Sequence, residues 1–171
     1  MATRSGKLAG FVCALLLVVA TCCARAADLT VPVSVVSEAG AQQVLVAAEQ
    51  EARRLNAPCA VAVVDTSGIL VAFLKMDGVR AGSPDLAIGK ARTSALLQRP
   101  SAETENNVDN GRVAFVTGGF MTLRGGVPLM ANGVTVGAVG VASLNKDNDV
   151  TIAERAAAAF ASTSSSQHAG H

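Results

Sequence analysis

The segment GGVPLMANGVTVGAVGV, residues 125–141, carries the strongest structural signal of the sequence. Two apolar runs flank Asn132-Gly133, a dipeptide that fits the type I′ turn of a two-residue β-hairpin. Gly137 and Gly140 interrupt the second run, and glycines inside a strand indicate either a bulge or the close approach of another backbone. The segment therefore predicts an antiparallel hairpin whose second strand either has a bulge or lies close to another part of the backbone.

Further strands and helices are predicted on both sides of this hairpin. The predicted strands are 59–64, 69–76, 112–116, 127–130 and 134–143, of which the first two form a second hairpin around Thr66-Ser67-Gly68. The predicted helices are 37–55, 83–98 and 150–161, capped by Ser37, Ser83 and Asp149, with one short helical turn within 101–110. Adjacent antiparallel strands with helices packed on them define an α+β domain.

Composition excludes several classes of function. The 171 residues suit one domain, and the formal net charge is +1. A sequence-independent nucleic-acid binder needs a basic patch, and a single-strand binder needs stacking aromatics, whereas only 3% of these residues are aromatic. We therefore expect no nucleic-acid partner. The two histidines, His168 and His171, lie at the very end of the sequence, so the body of the chain lacks the imidazole of a Ser-His-Asp triad or a His-ligated zinc site.

The first residues have the pattern of a secretory signal peptide. Arg4 and Lys7 precede an apolar run, and Ala24-Arg25-Ala26 matches a cleavage site. We expect residues 1–26 to be removed, which leaves a domain over 27–161 and a Ser-rich, disordered tail over 162–171. The mature protein is then periplasmic or secreted, with no membrane partner. Its one remaining cysteine, Cys59, cannot close an intrachain disulfide, so an apolar core or oligomer contacts must stabilise the fold.

Four segments together resemble the GlcG/HbpS-type haem-binding (haem-degrading domain) family. These segments are AVVDTSGIL (62–70), KMDG (75–78), AIGKARTSA (87–95) and the hairpin 125–141. The resemblance covers roughly 37–160. It implies an antiparallel five-stranded sheet with helices on both faces, a profilin-like sandwich, and assembly as a homo-oligomer. It also implies haem as a ligand. The segment 142–149, ASLNKDND, departs from the Gly-rich loop that the family has there.

Haem iron is normally held by His, Tyr, Cys or Met. The body of the chain offers Cys59 and the methionines Met76, Met121 and Met130. Met76 is our candidate axial ligand among them. The tail histidines His168 and His171 are the alternative, and they could also chelate a divalent metal.

A ligand groove is predicted around Met76, Lys90 and the segment Arg124 to Pro128. Lys90 lies on or beside the apolar stripe of its helix, where a basic side chain either extends to solvent or binds an acidic group. Arg124 and the exposed backbone of Gly125-Gly126 could form a nest for a small anion. The glycines could equally serve only the geometry of the turn.

Asp65 and Asp77 are the candidate catalytic groups, although each could simply support a β-turn. Three functions remain open at this point. The first is an exported protein that binds haem or a similar small, acidic and apolar ligand. The second is a cofactor-free enzyme that acts on a small organic acid, with Asp65 or Asp77 as the base and Lys90 or Arg124 holding the substrate carboxylate. The third is a non-catalytic signalling or partner domain.

Overall fold

The computed structural model describes residues 29–168, and its compact unit starts at Val33. The predicted leader, residues 1–26, lies outside the described residues. The helices are α1 Glu38–Arg54, α2 Ser83–Leu97, α3 Ser101–Asp109, α4 Ala114–Thr117 and α5 Lys146–His168. The strands are β1 Ala60–Asp65, β2 Leu70–Lys75, β3 Gly126–Ala131 and β4 Val134–Ala142. None of the described helices is long and apolar enough to cross a membrane.

Both predicted hairpins are present, and they share one antiparallel sheet. The strand order is β2-β1-β4-β3, so β2 and β3 are the edge strands and β1 pairs with β4 at the centre of the sheet. Asn132 and Gly133 form the turn between β3 and β4, both with a positive φ, as the type I′ turn requires. The central pairing of β1 with β4 joins the two hairpins into one unit.

The sheet separates two apolar layers. On one face, Val61 and Val63 of β1 and Val139 and Val141 of β4 are fully buried in a core that includes residues of α1 and α5. On the other face, alternate residues of β1 pack against α2 through small side chains. That second core comprises Ala60, Ala62, Val64, Ala87, Ala91, Ala95, Ala138 and Ala142. Helices therefore cover both faces of the sheet, as expected.

Helix α2 lies unusually close to the sheet because two of the facing strand residues are glycines. A Cβ added to Gly140 would lie 2.1 Å from the carbonyl oxygen of Ala87, and one added to Gly126 would lie 2.3 Å from that of Lys90. Gly126 and Gly140 are also paired across β3 and β4. No L side chain fits at either position without moving the helix, so these two glycines determine where α2 and its Lys90 lie.

The sheet has four strands, and the expectation of five was wrong. The segment 112–116, predicted as a strand, contains the start of the short helix α4. Val113 and Val116 remain largely exposed, so the apolar residues that suggested a buried strand do not face a core. Phe115 instead contacts Phe120 edge-to-face and lies beneath the guanidinium groups of Arg99 and Arg112.

The ends of three helices also differ from the prediction. The N-cap of α2 is Gly82, whereas Ser83 is buried within the first turn. Asp149 does not cap α5, which begins at Lys146 after the Asn145 side chain accepts the amide of Asp147. α3 spans Ser101–Asp109, more than the expected single turn. α5 continues to His168, so residues 162–168 of the predicted disordered tail are helical.

Substitution of Gly140 by alanine should test the close helix–sheet contact. The added methyl group overlaps backbone atoms of α2, so we expect the free energy of unfolding to fall by about 1–3 kcal/mol or more. Urea denaturation followed by far-UV circular dichroism measures this change. Gly82→Ala is the matched control, because a Cβ there meets nothing within 4 Å. An equal effect of the two substitutions would contradict the contact.

Candidate functional site

A buried ion pair lies where α2 crosses the end of the sheet. Lys90 and Asp149 are each only 3% exposed, and the Lys90 Nζ donates to the Asp149 Oδ2 at 2.7 Å. The same ammonium donates to the Val141 carbonyl of β4 at 2.8 Å. Gly125 leaves room for the pair, since a Cβ there would lie 2.8 Å from the Asp149 Cβ and 3.3 Å from the Lys90 Nζ. The charges are thus paired and hydrogen-bonded, which a buried charge requires.

Asp149 also holds the loop that leads into α5. Its Oδ1 accepts hydrogen bonds from the amide and the hydroxyl of Ser143, both at 2.6 Å. One carboxylate therefore joins α2, the end of β4 and the first turns of α5. Two of the joined residues, Ser143 and Asp149, belong to the segment 142–149, the part of the sequence that departs from the family pattern.

A small cavity of about 160 Å³ adjoins the ion pair, and we call it the Lys90 cavity. Its lining residues are Arg80, Leu86, Lys90, Glu105, Leu123, Arg124, Ala142, Ser143, Leu144, Lys146 and Asp149. Arg124 forms an ion pair through its Nε with the Glu105 carboxylate, and Glu105 raises the pKa of Arg124 through that hydrogen bond. Two predicted ligand-binding side chains, Lys90 and Arg124, therefore line one cavity, each with a carboxylate partner.

A second cavity of about 520 Å³ lies between the end of α1 and the end of β2, and we call it the Met76 cavity. Its lining residues are Glu49, Ala52, Arg53, Asn56, Ala57, Pro58, Leu74, Lys75, Met76 and Asp77. Met76 is partly buried and Asp77 is exposed. The predicted groove around Met76, Lys90 and Arg124 is therefore divided between two cavities in the structure.

Cys59 lies next to Met76 but is not available to a ligand. Its side chain is fully buried, and its Sγ lies 3.9 Å from the Met76 Sδ. Burial, with smaller contributions from Asp149 and Glu49, raises the pKa of the Cys59 thiol to about 12. The thiolate is the form that ligates metals, so Met76 is the better sulfur ligand of the two. Met76 lines the cavity, and its Sδ accepts from the Cys59 thiol.

A third cavity of about 540 Å³ lies between α2 and the segment that follows α4. It is lined by Gly89, Arg92, Thr93, Leu96, Val116, Gly118, Gly119, Phe120, Met121 and Thr122. The Met121 side chain packs along α2 at Gly89, where an added Cβ would lie 3.0 Å from the Met121 Cβ and Cε. The Met121 amide is also held by the Thr93 hydroxyl at 2.9 Å.

Other predicted site residues have structural roles in this fold. The Asp65 carboxylate accepts the amides of Ser67 and Ile69 at 2.8 and 2.9 Å and so closes the β1–β2 turn. The Gly126 amide donates to the Ser101 hydroxyl at 2.8 Å and is therefore not free to bind an anion. Pro128 lies within β3, opposite Ala138.

The structure shows no metal site at the candidate tail histidines within the part of the chain that it describes. His168 is the last residue of α5, and His171 lies outside the described residues. Residues 29–168 contain no group of three or more His, Cys, Asp or Glu side chains that could hold a metal ion.

Five polar side chains of the Lys90 cavity were not singled out as ligand-site candidates from the sequence: Arg80, Glu105, Ser143, Lys146 and Asp149. Asp149 was interpreted only as a helix cap, and its bond to Lys90 spans 59 residues of sequence. The one available signal was the acidic residue at the end of the segment 142–149. No local pattern connects Glu105 to Arg124, because their contact depends on how α3 packs beside the start of β3.

Comparison with known proteins assigns the fold and site to a family. The sequence model of the haem-degrading HbpS-like proteins matches residues 36–158, so this chain belongs to the HbpS-like family. The protein GlcG of Escherichia coli K12 is 39% identical over 108 residues, which are 63% of this chain and 81% of GlcG.

Two solved structures share the fold. A variant of HbpS from Streptomyces reticuli is 26% identical, with a TM-score of 0.70 over 91% of this chain and 97% of that chain. The PduOC–haem complex is 27% identical, with a TM-score of 0.67 over 73% of this chain and 94% of that chain. The resemblance found in the sequence is thus confirmed.

Removing either member of the buried ion pair should strongly destabilise the protein. We expect Lys90→Met and Asp149→Asn each to lower the free energy of unfolding by about 3–5 kcal/mol, because each leaves a buried group without its partner. The double variant should lose less than the sum, since neither charge is then left alone. Urea denaturation followed by circular dichroism gives all three values.

The exposed pair Glu49–Arg53 provides the control for this comparison of single and double variants. Its Arg53 side chain is 68% exposed, so Arg53→Met should cost about 1 kcal/mol or less. Additive losses for Lys90→Met and Asp149→Asn would show that the two groups do not depend on each other, and would contradict the buried pair.

Proposed function

We propose that this chain binds haem, or a similar small ligand with an apolar body and acidic groups, in the Met76 cavity. The observation that carries the proposal is the thioether of Met76 in the wall of a ligand-sized cavity, in a chain of the HbpS-like family. The relative PduOC has been crystallised as a haem complex, which supports haem as the first ligand to test.

The residues of the Met76 cavity fit haem in three respects. Its volume of about 520 Å³ lies within the range of about 300–1,000 Å³ for small-molecule sites. Ala52, Ala57, Pro58 and Leu74 supply apolar surface, and Met76 supplies a sulfur of the kind that ligates haem iron. Lys75 provides a cation for a carboxylate of such a ligand, whereas Arg53 is paired with Glu49 in the same wall.

Each part of the cavity has a separate role in this proposal. The apolar wall excludes water from one face of the ligand, while Met76 orients it and Lys75 holds an acidic group. Haem bound here would supply a redox-active iron. Asp77, which is exposed at the same cavity, adds a carboxylate at its rim.

Met121, in the wall of the third cavity, is less suitable than Met76 as an iron ligand. Met121 packs along α2 at Gly89, and its amide is fixed by Thr93. Met121 therefore provides a matched control: it is a partly buried methionine in a cavity of similar size, but its side chain is already engaged with the helix.

Haemin titration should give a saturable shift of the Soret band that Met76→Leu abolishes or weakens at least about tenfold. This loss is expected because leucine keeps the volume of the side chain but removes its sulfur. Met121→Leu and the double variant His168→Ala/His171→Ala should bind like the unmodified protein.

Three results would count against this proposal. Absence of a saturable shift would rule out haem as the ligand. Loss of binding in the histidine variant alone would assign the iron to the tail. Loss in Met121→Leu alone would assign it to the cavity beside α2.

We also propose that the protein is a homo-oligomer whose copies meet at β2. This strand lies at an edge of the sheet, where its outer hydrogen-bonding groups have no partner strand in the described part of the chain. Ile69, Leu70 and Phe73 are exposed on and beside it. An exposed apolar edge strand favours pairing with another chain, and a second copy offers the same edge by symmetry.

Size-exclusion chromatography with light scattering tests this assembly. The unmodified protein should have the mass of at least two chains, and Phe73→Asp should shift it to a monomer because a charge then lies in the apolar contact. Val134→Asp, at an exposed residue beside the opposite edge strand, should leave the mass unchanged. A monomeric unmodified protein would contradict the proposal.

Finally, we propose export to the periplasm or the cell exterior with cleavage after Ala26. The support is the basic start of the sequence, its apolar run and the Ala24-Arg25-Ala26 site. The intact mass of protein recovered from producing cells should lack residues 1–26. Ala24→Lys together with Ala26→Lys should block this loss, whereas recovery of the unmodified chain with residues 1–26 attached would contradict export by this route.

A further inference from the structure

We propose that the Lys90 cavity binds a small carboxylate, at a site separate from the Met76 cavity. The proposal rests on a small, partly apolar cavity whose lining contains more cations than carboxylates. The proposal does not depend on haem binding, because the two cavities have no lining residue in common.

The charges of the lining residues do not balance. Four cations, Arg80, Lys90, Arg124 and Lys146, line the cavity with two carboxylates, Glu105 and Asp149. Both carboxylates are occupied, Glu105 by Arg124 and Asp149 by Lys90. Within residues 29–168, Arg80 and Lys146 form no ion pair, so the lining has two more cations than carboxylates, which favours an anion. Two carboxylates outside the lining, Asp109 and Asp147, also lie close enough to act on Arg124.

Hydrogen-bond donors are also left over at the cavity. The Lys90 ammonium has three N–H groups, of which two are used for Asp149 and Val141. Arg124 uses only its Nε for Glu105, and Arg80 donates one bond to the Ser143 carbonyl at 3.2 Å. The remaining guanidinium N–H groups have the planar arrangement that matches a carboxylate.

The size and the walls of the cavity favour a short organic acid. A volume of about 160 Å³ equals that of about five water molecules at about 30 Å³ each. Leu86, Leu123, Ala142 and Leu144 supply apolar wall beside the cations. A carboxylate with a short carbon chain satisfies both parts of this surface, whereas an inorganic anion would leave the apolar wall in contact with water.

Gly125 leaves space beside the buried Lys90 ammonium. A Cβ at position 125 would lie 3.3 Å from the Lys90 Nζ, so any other residue there would crowd the ammonium. Gly125 has a φ of +108°, a conformation that side-chain-bearing residues rarely adopt. The backbone at this position therefore permits the buried pair beside the cavity.

The test is a titration of the ¹⁵N-labelled protein with sodium propionate, followed by ¹H–¹⁵N correlation spectra at constant ionic strength. We expect saturable shifts that are concentrated at the amides of Gly125, Leu144 and Lys146. Propionamide, which has the same shape without the charge, should cause none of these shifts.

Two pairs of substitutions locate the binding. Arg80→Gln/Lys146→Gln should weaken propionate binding about tenfold or more, since both unpaired cations are removed. Arg53→Gln/Lys75→Gln removes two cations from the Met76 cavity and should leave propionate binding unchanged. Lys146→Gln alone, at an exposed side chain, weakens binding at least about threefold and serves if the first double variant does not fold.

The opposite results would overturn the inference. Equal shifts with propionamide would show that charge is not recognised. Unchanged affinity in both Arg80→Gln/Lys146→Gln and Lys146→Gln would place the ligand elsewhere. Tighter binding of inorganic phosphate than of propionate would contradict a carboxylate site.

Discussion

The close contact of helix α2 with the sheet is the constraint on which the rest of this structure depends. Gly126 and Gly140 present bare backbone to the helix, with alanines around them, so the carbonyls of Ala87 and Lys90 lie where side chains would otherwise be. This approach carries Lys90 to the end of the sheet, within reach of Asp149. The ion pair then connects the sheet to α5 through the segment that follows β4. If α2 lay farther from the sheet, the buried Lys90 and Asp149 would each lose the opposite charge that pairs with it.

The same arrangement explains why the structure has two separate cavities rather than one groove. Lys90 and Arg124 form pairs with carboxylates beside a small cavity, whereas Met76 lies in the wall of a larger one beside α1. We propose a ligand with a large apolar body for the larger cavity and a short anion for the smaller one. The functions proposed here therefore use different residues and can be tested independently, within a chain that belongs to the HbpS-like family.

Much of the fold follows from local sequence patterns. The Asn132-Gly133 turn and both hairpins were predicted because each depends on a few neighbouring residues. Gly140 indicated either a bulge or a close backbone approach, and the structure shows the close approach. The strand predicted at 112–116 was wrong because Phe115 contacts Phe120 and two arginines instead of a sheet. Lys90 was recognised near an apolar face, but its partner was not, since only tertiary packing brings together residues 59 positions apart.

The central claim is that Met76 binds the haem iron. Locating that iron in the complex tests the claim most directly. Crystals grown with haemin and measured at the iron absorption edge would give an anomalous difference peak for that one atom. The account predicts the peak beside the Met76 sulfur, in the cavity between α1 and β2. A peak beside Met121, Met130 or the C-terminal histidines, with none at Met76, would contradict it.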